Sequence, residues 1–400
     1  MNSNTALIAF SGGLDTSFLV PFSREKYGFE KVITCTVNTG GFDDTEIDRI
    51  AGRSKEVGAD EHITIDAQKE FYEQTIRFLI YGNVSRDGYP LCVGSERLIQ
   101  GQKALEICQQ RGIQCFLHGS TGAGNDQYRL DLVAHVLGRG KIKCIAPIRE
   151  FSVARETSTE FLKKKAIEVS KRNTDYSYNA GLWGVSIGGK ETHASTTLIP
   201  EAAWYSQPEA NIQDASIKLE FHQGDVCKLE SPWGNATEPV EIIKLLAKIG
   251  GKYAIGRHYH IGTSIPGKKG RLAYESPAAD IIYQAHHNLE KITLTQLQIS
   301  GKKPLAEEFG RLIHEARFFD PYLTDLCAFL KSTQRRVTGT SEIFLTKGHI
   351  KAVTSDSPYN LLGIKGATYG ETASAYSGEE AQGACKLHSF EQQLYHTFDS

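Results

Sequence analysis

The sequence predicts an α/β protein: a doubly wound parallel-sheet domain, then a mixed α+β domain, then a C-terminal helical arm. Three observations predict it. Short apolar runs alternate with helical windows over the first 170 residues. A Gly-rich turn follows the first run and opens a helix. After about residue 170 the texture shifts to hairpins and longer helices, with boundaries expected at 1–170, 171–360 and 361–400. A length of 400 residues suits two or three domains.

In chain order, the runs 5–10, 31–37, 61–66, 114–119 and 141–148 read as strands. They are short, and the buried ones are apolar on both faces, as a parallel sheet requires. Helical windows lie at 16–26, 43–57, 68–80, 96–111 and 155–169. The β-α-β-α order implies right-handed crossovers, with a site at the carboxyl ends of the strands. The stretch 171–215 is rich in Asn, Ser, Gly and Pro and has no long periodic run. Residues 216–230 read as a hairpin turning at Gln223-Gly224-Asp225, and 239–250 as a helix closed by Gly250-Gly251. A helix and a short apolar run are expected over 278–300, and two helices broken at Asp320-Pro321 over 305–334. A second hairpin, 342–358, turns at Lys347-Gly348. After a polar stretch over 361–385, an amphipathic helix carries Leu387, Phe390, Leu394 and Phe398 on one side. A lone helix of that length is marginal in water, so it is expected to pack on something, such as a neighbouring subunit.

Hydrophobic residues make up 40% and charged residues 23%, an ordinary globular composition. The 45 Lys+Arg against 47 Asp+Glu exclude a strongly basic nucleic-acid binder. No window approaches 18 consecutive apolar residues, and the polar start suggests no signal peptide, so a cytoplasmic protein without membrane contact is expected. The 8 Cys include no C-x-x-C pair and read as reduced, packed thiols.

The strongest motif is Phe10-Ser11-Gly12-Gly13-Leu14-Asp15-Thr16-Ser17. Two glycines let consecutive N–H groups aim at one point, three hydroxyls add donors, and the helix N-terminus adds its dipole. The result is an anion cradle for a phosphate chain, though not a Walker A loop. Asp15 would repel phosphate without a cation between them, so it implies Mg²⁺, directly or through water. The second motif, His118-Gly119-Ser120-Thr121-Gly122-Ala123-Gly124-Asn125-Asp126-Gln127-Tyr128-Arg129, follows the fourth strand. Asn125 and Asp126 can hold an ammonium and Arg129 can clamp a carboxylate, a mixture that suits a zwitterionic amino acid. A third cluster, 176–186, has hydroxyls and aromatics that could line a pocket, although a packed loop is the readier reading of it. His258-x-His260 and His286-His287 lack a third metal ligand at a sensible spacing.

The loop SGGLDTS is similar to the pyrophosphatase-type loop of ATP-dependent adenylating ligases. Together with HGSTGAGNDQYR (118–129), IAPIRE (145–150), YSYNAGLWGVS (176–186) and GRLAYESPAADIIYQAHHNLE (270–290), it resembles argininosuccinate synthase, in the same order from residue 6 to about 360. The resemblance implies an ATP-binding domain of the adenine nucleotide alpha hydrolase type, a synthetase domain and a multimerisation arm in a homotetramer. It implies arginine biosynthesis by joining citrulline to aspartate through a citrullyl-adenylate, with ATP giving AMP and diphosphate. Ala9, Phe10, Ser11, Gly12, Gly13, Leu14, Asp15, Thr16 and Ser17 would hold ATP, with Val37 meeting the adenine by backbone and Gly119 also touching the nucleotide. Ser11, Asp15, Thr16 and Ser17 would carry catalysis. Thr121, Asn125 and Asp126 would bind aspartate. Tyr89, Asn125, Arg129, Ser177, Ser186 and Tyr274 would bind citrulline.

Two positions depart from the family pattern, both on the citrulline side. Gly94 replaces a serine, with Ser95 following it, and Gly262 replaces a glutamate. They keep open a related adenylating ligase that uses ATP and aspartate with a different ureido or carbonyl substrate. A tRNA-thiolating enzyme would need a thiol pair and a basic surface, and the near-zero net charge and absence of C-x-x-C count against it. The intact phosphate loop argues against a binding protein without turnover.

Overall fold

The computed structural model describes residues 2–169, 175–364 and 375–399. The N-terminal part contains β1 (Asn2–Ala9), α1 (Leu14–Tyr27), β2 (Lys31–Asn38), α2 (Asp44–Glu56) and β3 (Glu61–Asp66). Two short helices, α3 (Gln68–Phe71) and α4 (Arg77–Gly82), flank a π-helical turn, Tyr72–Ile76. Then come α5 (Arg97–Arg111), β4 (Ile113–Leu117), α6 (Asp126–Gly138), β5 (Lys143–Ile145), α7 (Pro147–Glu150) and α8 (Arg155–Lys164). The five strands form one parallel sheet in the order β3-β2-β1-β4-β5. Its faces are set by alternation. Ala6 and Ile8 pack with Phe18, Leu19 and Ile50 on one side, while Leu7 packs with Ile99, Leu105 and Val133 on the other. The order reverses between β1 and β4, so the loops after these two strands emerge side by side at the carboxyl edge.

The second half holds two antiparallel sheets. β6 (Ser177–Gly181), β7 (Gly184–Gly188), β10 (Arg257–Thr263) and β11 (Lys269–Glu275) form one, in the order β10-β11-β7-β6. β8 (Ala215–His222), β9 (Asp225–Glu230), β12 (Gly339–Thr346) and β13 (His349–Asp356) form the other, in the order β13-β12-β8-β9. Helices α9 (Pro239–Lys252), α10 (Pro277–Thr293), α11 (Gln296–His314) and α12 (Pro321–Thr333) pack around them, and α13 (Gly378–His396) is the arm. No side chain of α13 is buried, and Leu387, Phe390, Leu394 and Phe398 are all exposed.

Several expected elements change. The strand expected over 141–148 is only Lys143–Ile145, because Pro147 opens α7, where its missing N–H costs nothing. The helix α6 was not anticipated beyond the second motif. Glycines 250 and 251 do not close α9, which runs on to Lys252. They are packing sites: a Cβ at Gly250 would lie 2.5 Å from Pro277 Cβ, and one at Gly251 2.9 Å from Ser206 Cβ. The apolar run after α10 is the start of α11, whose capping box pairs Thr295 with Gln298. The hairpins β6–β7 and β10–β11 were likewise unforeseen. The boundary expected at residue 170 lies outside the described residues.

Candidate functional site

The phosphate-loop motif occupies the turn from β1 into α1. Gly12 has φ +68, the left-handed region that glycine allows, and Gly13 is the helix N-cap. No side chain caps α1, so its first-turn N–H groups face the turn. Ser11 and Thr16 tie the loop together: Ser11 N–H donates to Thr16 Oγ1 at 3.3 Å, and the two hydroxyls lie 3.3 Å apart. Burial raises the Asp15 carboxyl above its usual range, and Arg155 opposes that shift. Two arginines of α2 approach the same turn, which sequence reasoning missed. A Cβ on Gly12 would sit 3.2 Å from Arg49 Nη2, and Arg53 Nε donates to Ser17 Oγ at 3.1 Å. Their signal was only an i, i+4 pair inside an ordinary helical window.

Val37 lies within β2, as the strand expected over 31–37 places it. Phe10 N–H donates to Cys35 O at 2.8 Å, and Ala67 N–H donates to Asn38 O at 2.9 Å. Odd residues of β2 therefore turn their backbone groups towards β1 and even ones towards β3. Val37 lies past the end of that ladder, which pairs Ala9 with Cys35, so its N–H and C=O face beyond β1, beside the phosphate turn.

The second motif starts from a fixed root. Ser120 N–H donates to His118 Nδ1 at 3.3 Å, and His118 Nε2 meets Asp131 Oδ1 at 2.8 Å. Arg149, from the IAPIRE segment, pairs with the same carboxylate. Gly119 closes on the first loop: a Cβ there would lie 3.3 Å from Thr16 Cγ2 and 3.4 Å from Asp15 Cβ. Thr121 is exposed on the glycine-rich arc, and Asn125 precedes α6. Asn125 Oδ1 accepts from Ile265 N at 2.9 Å, which ties the β10–β11 turn over this loop.

Asp126 is clasped by two arginines. Arg97 Nε reaches Oδ2 at 2.8 Å and Arg129 Nη1 reaches Oδ1 at 2.9 Å. Burial works against its charge, but Arg97 and then Arg129 outweigh it and hold the carboxyl at about 2. Arg97, also missed from sequence, donates through Nη1 to Glu96 Oε1 at 3.0 Å. Arg129 is 6% exposed and packs on Gly94, whose notional Cβ would lie 2.2 Å from Nη1.

The antiparallel register puts the remaining residues on one face. Tyr274 pairs with Ser186 and with His258, and Ser186 pairs with Asn179. Ser177, two residues from Asn179, shares that face, as do His260 and Gly262. The opposite face carries Val185, Ile187 and Ala273 into a separate apolar cluster. Tyr89 backs onto the polar face. Its ring stacks on His260 at 5.0 Å and meets Tyr274 edge-on at 4.9 Å. Both tyrosine hydroxyls bond backbone: Tyr89 OH accepts from Val93 N at 3.1 Å, and Tyr274 OH donates to Gly88 O at 3.0 Å. They form walls of the site. His258, by contrast, bonds Asp280 at 2.7 Å, which raises its pKa.

The arrangement is an uncapped helix start, a neighbouring polar loop, and a hydroxyl-bearing sheet face. Comparison with known proteins agrees. Residues 5–168 match the family described as arginosuccinate synthase N-terminal HUP domain, and residues 176–395 the arginosuccinate synthase C-terminal domain. The argininosuccinate synthase of Methanocaldococcus jannaschii is 35% identical over 392 residues, covering 98% of this chain and 97% of the relative. That of Xanthomonas campestris is 34% identical over 408 residues, covering 99% of each. That of Archaeoglobus fulgidus is 34% identical over 398 residues, covering 97% of this chain and 98% of the relative.

Proposed function

The chain belongs to the argininosuccinate synthase family of ligases, and from that premise we propose that it joins citrulline to aspartate at the expense of ATP. The ureido oxygen attacks the α-phosphorus and diphosphate leaves. The aspartate amine then attacks the activated carbon, AMP departs with the former ureido oxygen, and the amine loses a proton. The observation that carries this reading is the contact of Gly119 with Asp15 and Thr16. It brings the phosphate turn and the amino-acid loop within the reach of one reaction centre.

Each residue then has a role. Ala9 to Ser17 hold the phosphates, with the first-turn N–H groups of α1, Ser11, Thr16 and Ser17 stabilising the leaving diphosphate. Val37 offers backbone to the adenine. Thr121, Asn125 and Asp126 receive aspartate. Asp126, already clasped, also orients Arg129 towards the citrulline carboxylate. Ser177 and Ser186 line the polar face, with Tyr89 and Tyr274 as walls. A half-buried carboxylate beside an anion cradle suits Mg²⁺, and Asp15 would hold it, directly or through water. The ion would neutralise phosphate charge there. We assign residues 1–170 to ATP binding, 171–360 to the synthetase part and 361–400 to an arm whose exposed apolar side packs in a cytoplasmic homotetramer.

Citrulline labelled with ¹⁸O in the ureido group tests the chemistry. AMP should carry the label, and unlabelled AMP from a citrulline-dependent reaction would overturn the adenylate route.

A further inference from the structure

At the root of the amino-acid loop two protons converge on one carboxylate oxygen. His118 Nε2 lies 2.8 Å from Asp131 Oδ1, and Cys144 Sγ donates to the same oxygen at 3.3 Å. The other ring nitrogen fixes the tautomer. His118 Nδ1 accepts from Ser120 N–H at 3.3 Å, so the ring proton sits on Nε2 and points at Asp131. Arg149 pairs with the second oxygen, Oδ2. The three side chains come from the residue after β4, from α6 and from β5. Each is thirteen positions from the next, so no local spacing brings them out.

Their ligand atoms all lie within 4.8 Å of one another, a gathering of His, Cys, Asp or Glu found nowhere else among the described residues. His118 is buried, while Asp131 and Cys144 are half-buried, so solvent reaches the group. Tetrahedral Zn²⁺ holds nitrogen and oxygen at about 2.0–2.2 Å and thiolate sulfur at about 2.3 Å, which sets the ligand atoms about 3.3–3.6 Å apart. The two separations at Asp131 Oδ1 would open by about 0.5 Å and about 0.3 Å to admit the ion. One nitrogen, one sulfur and one oxygen are a zinc donor set, and three protein ligands leave a fourth position for water. Arg149 on Oδ2 supplies the outer partner that a ligating carboxylate keeps.

We propose that His118, Asp131 and Cys144 form an inhibitory Zn²⁺ site, in which the cation takes the place of the two converging protons and frees the root of the amino-acid loop. Burial and then Asp131 push the Cys144 thiol up, so sulfur carries its proton until the metal displaces it into solvent. His118 gives its Nε2 lone pair to the ion, and the ring proton moves to Nδ1. Nδ1 then no longer accepts from Ser120 N–H. Ser120 lies between Gly119, which rests on Asp15 and Thr16, and Thr121. Release at Ser120 therefore shifts the loop against the phosphate turn. The metal site stands without the ligase reading; its effect on turnover rests on that reading.

Cobalt(II) tests the site, because a thiolate ligand gives it a sulfur-to-metal charge-transfer band in the near ultraviolet. Titrating the full chain with Co²⁺ should raise that band to a plateau at one ion per chain, and Zn²⁺ should abolish it. Cys144→Ser should remove the band and weaken Zn²⁺ by at least about 100-fold, and Asp131→Asn should weaken it by at least about tenfold. Release of one proton makes the affinity rise about tenfold per pH unit. A wild type without the band, or a band that survives Cys144→Ser, overturns the site. Zn²⁺ should also stop citrulline-dependent AMP release by the wild type at concentrations that spare Cys144→Ser, since ATP draws off the same zinc in both. Full turnover by the zinc-loaded wild type overturns the coupling. If neither protein releases AMP without zinc, the ligase reading fails, and the cobalt spectrum still decides the site.

Discussion

A serine at position 94 should damage this protein. Gly94 has φ +98, a backbone region that side-chain-bearing residues adopt at a cost of about 1–3 kcal/mol. Its Cβ would stand 2.2 Å from Arg129 Nη1 and 2.6 Å from Cζ, so the guanidinium must leave. Leaving breaks the 2.9 Å contact with Asp126, a charge-assisted bond worth about 1.5–3 kcal/mol. Asp126 keeps Arg97, so no carboxylate is stranded. Gly94→Ser should therefore cost about 2.5–6 kcal/mol, read from urea unfolding, and raise the KM of the ureido substrate. Removing the clash partner separates the two contributions. With Arg129→Ala in the background only the backbone strain remains, so the double variant should be about 1.5–3 kcal/mol more stable than the sum of the single effects. Additivity within about 0.5 kcal/mol would refute the packing argument.

Asp15→Asn should leave the fold intact, since burial already disfavours the charge, and lower turnover about 100-fold at saturating Mg²⁺; equal turnover would remove the metal role of Asp15. Gly119→Val should abolish ATP binding measured by calorimetry, because its Cβ starts 3.3 Å from Thr16, while Gly119→Ala should only weaken it. His314 has a folded pKa of about 4 against an ordinary 6.5, so the unfolded chain binds the proton first. His314 should therefore cost stability as pH drops from 6.5 to 4, by at most about 3 kcal/mol, and buried His286, also held at about 4, acts in the same direction, so His314→Gln should make that part of the urea-midpoint profile shallower. Deleting residues 376–400 should reduce the mass seen by light scattering with far-UV dichroism otherwise retained, because α13 buries no side chain.

The phosphate loop was legible because its cause is local. Gly12, Gly13 and the following hydroxyls shape a turn whatever surrounds it, and the β-α alternation fixes where that turn lies. The second loop was legible as a motif, but the role of its charges was not. Asp126 and Arg129 read as two independent ligand groups; three residues apart on α6 they also pair with each other, and Asp126 pairs with Arg97 as well. Arg97 comes from a different helix, so no window around residue 126 contains it. The hairpins β6–β7 and β10–β11 were hidden by composition. Their polar faces carry Ser, Gly and His, which lowers the alternating apolar signal that marks a half-buried strand. Gly250 and Gly251 misled in the opposite way: tertiary contact with Pro277 and Ser206 fixed them as glycine, whereas a local reading made them a helix stop.

Gly94 and Gly262 share one structural feature. At each, the space a side chain would take is held by a basic group, Arg129 Nη1 at Gly94 and His260 Nε2 at Gly262. Both groups are constrained. Arg129 is held by Asp126 and His314 O, and His260 by the face of Tyr89. The phosphate side carries no comparable substitution, since Ser11, Gly12, Gly13, Asp15, Thr16 and Ser17 keep the motif whole. A side chain at either position must displace a held basic group before it can reach a ligand, so substitutions there act through Arg129 and His260.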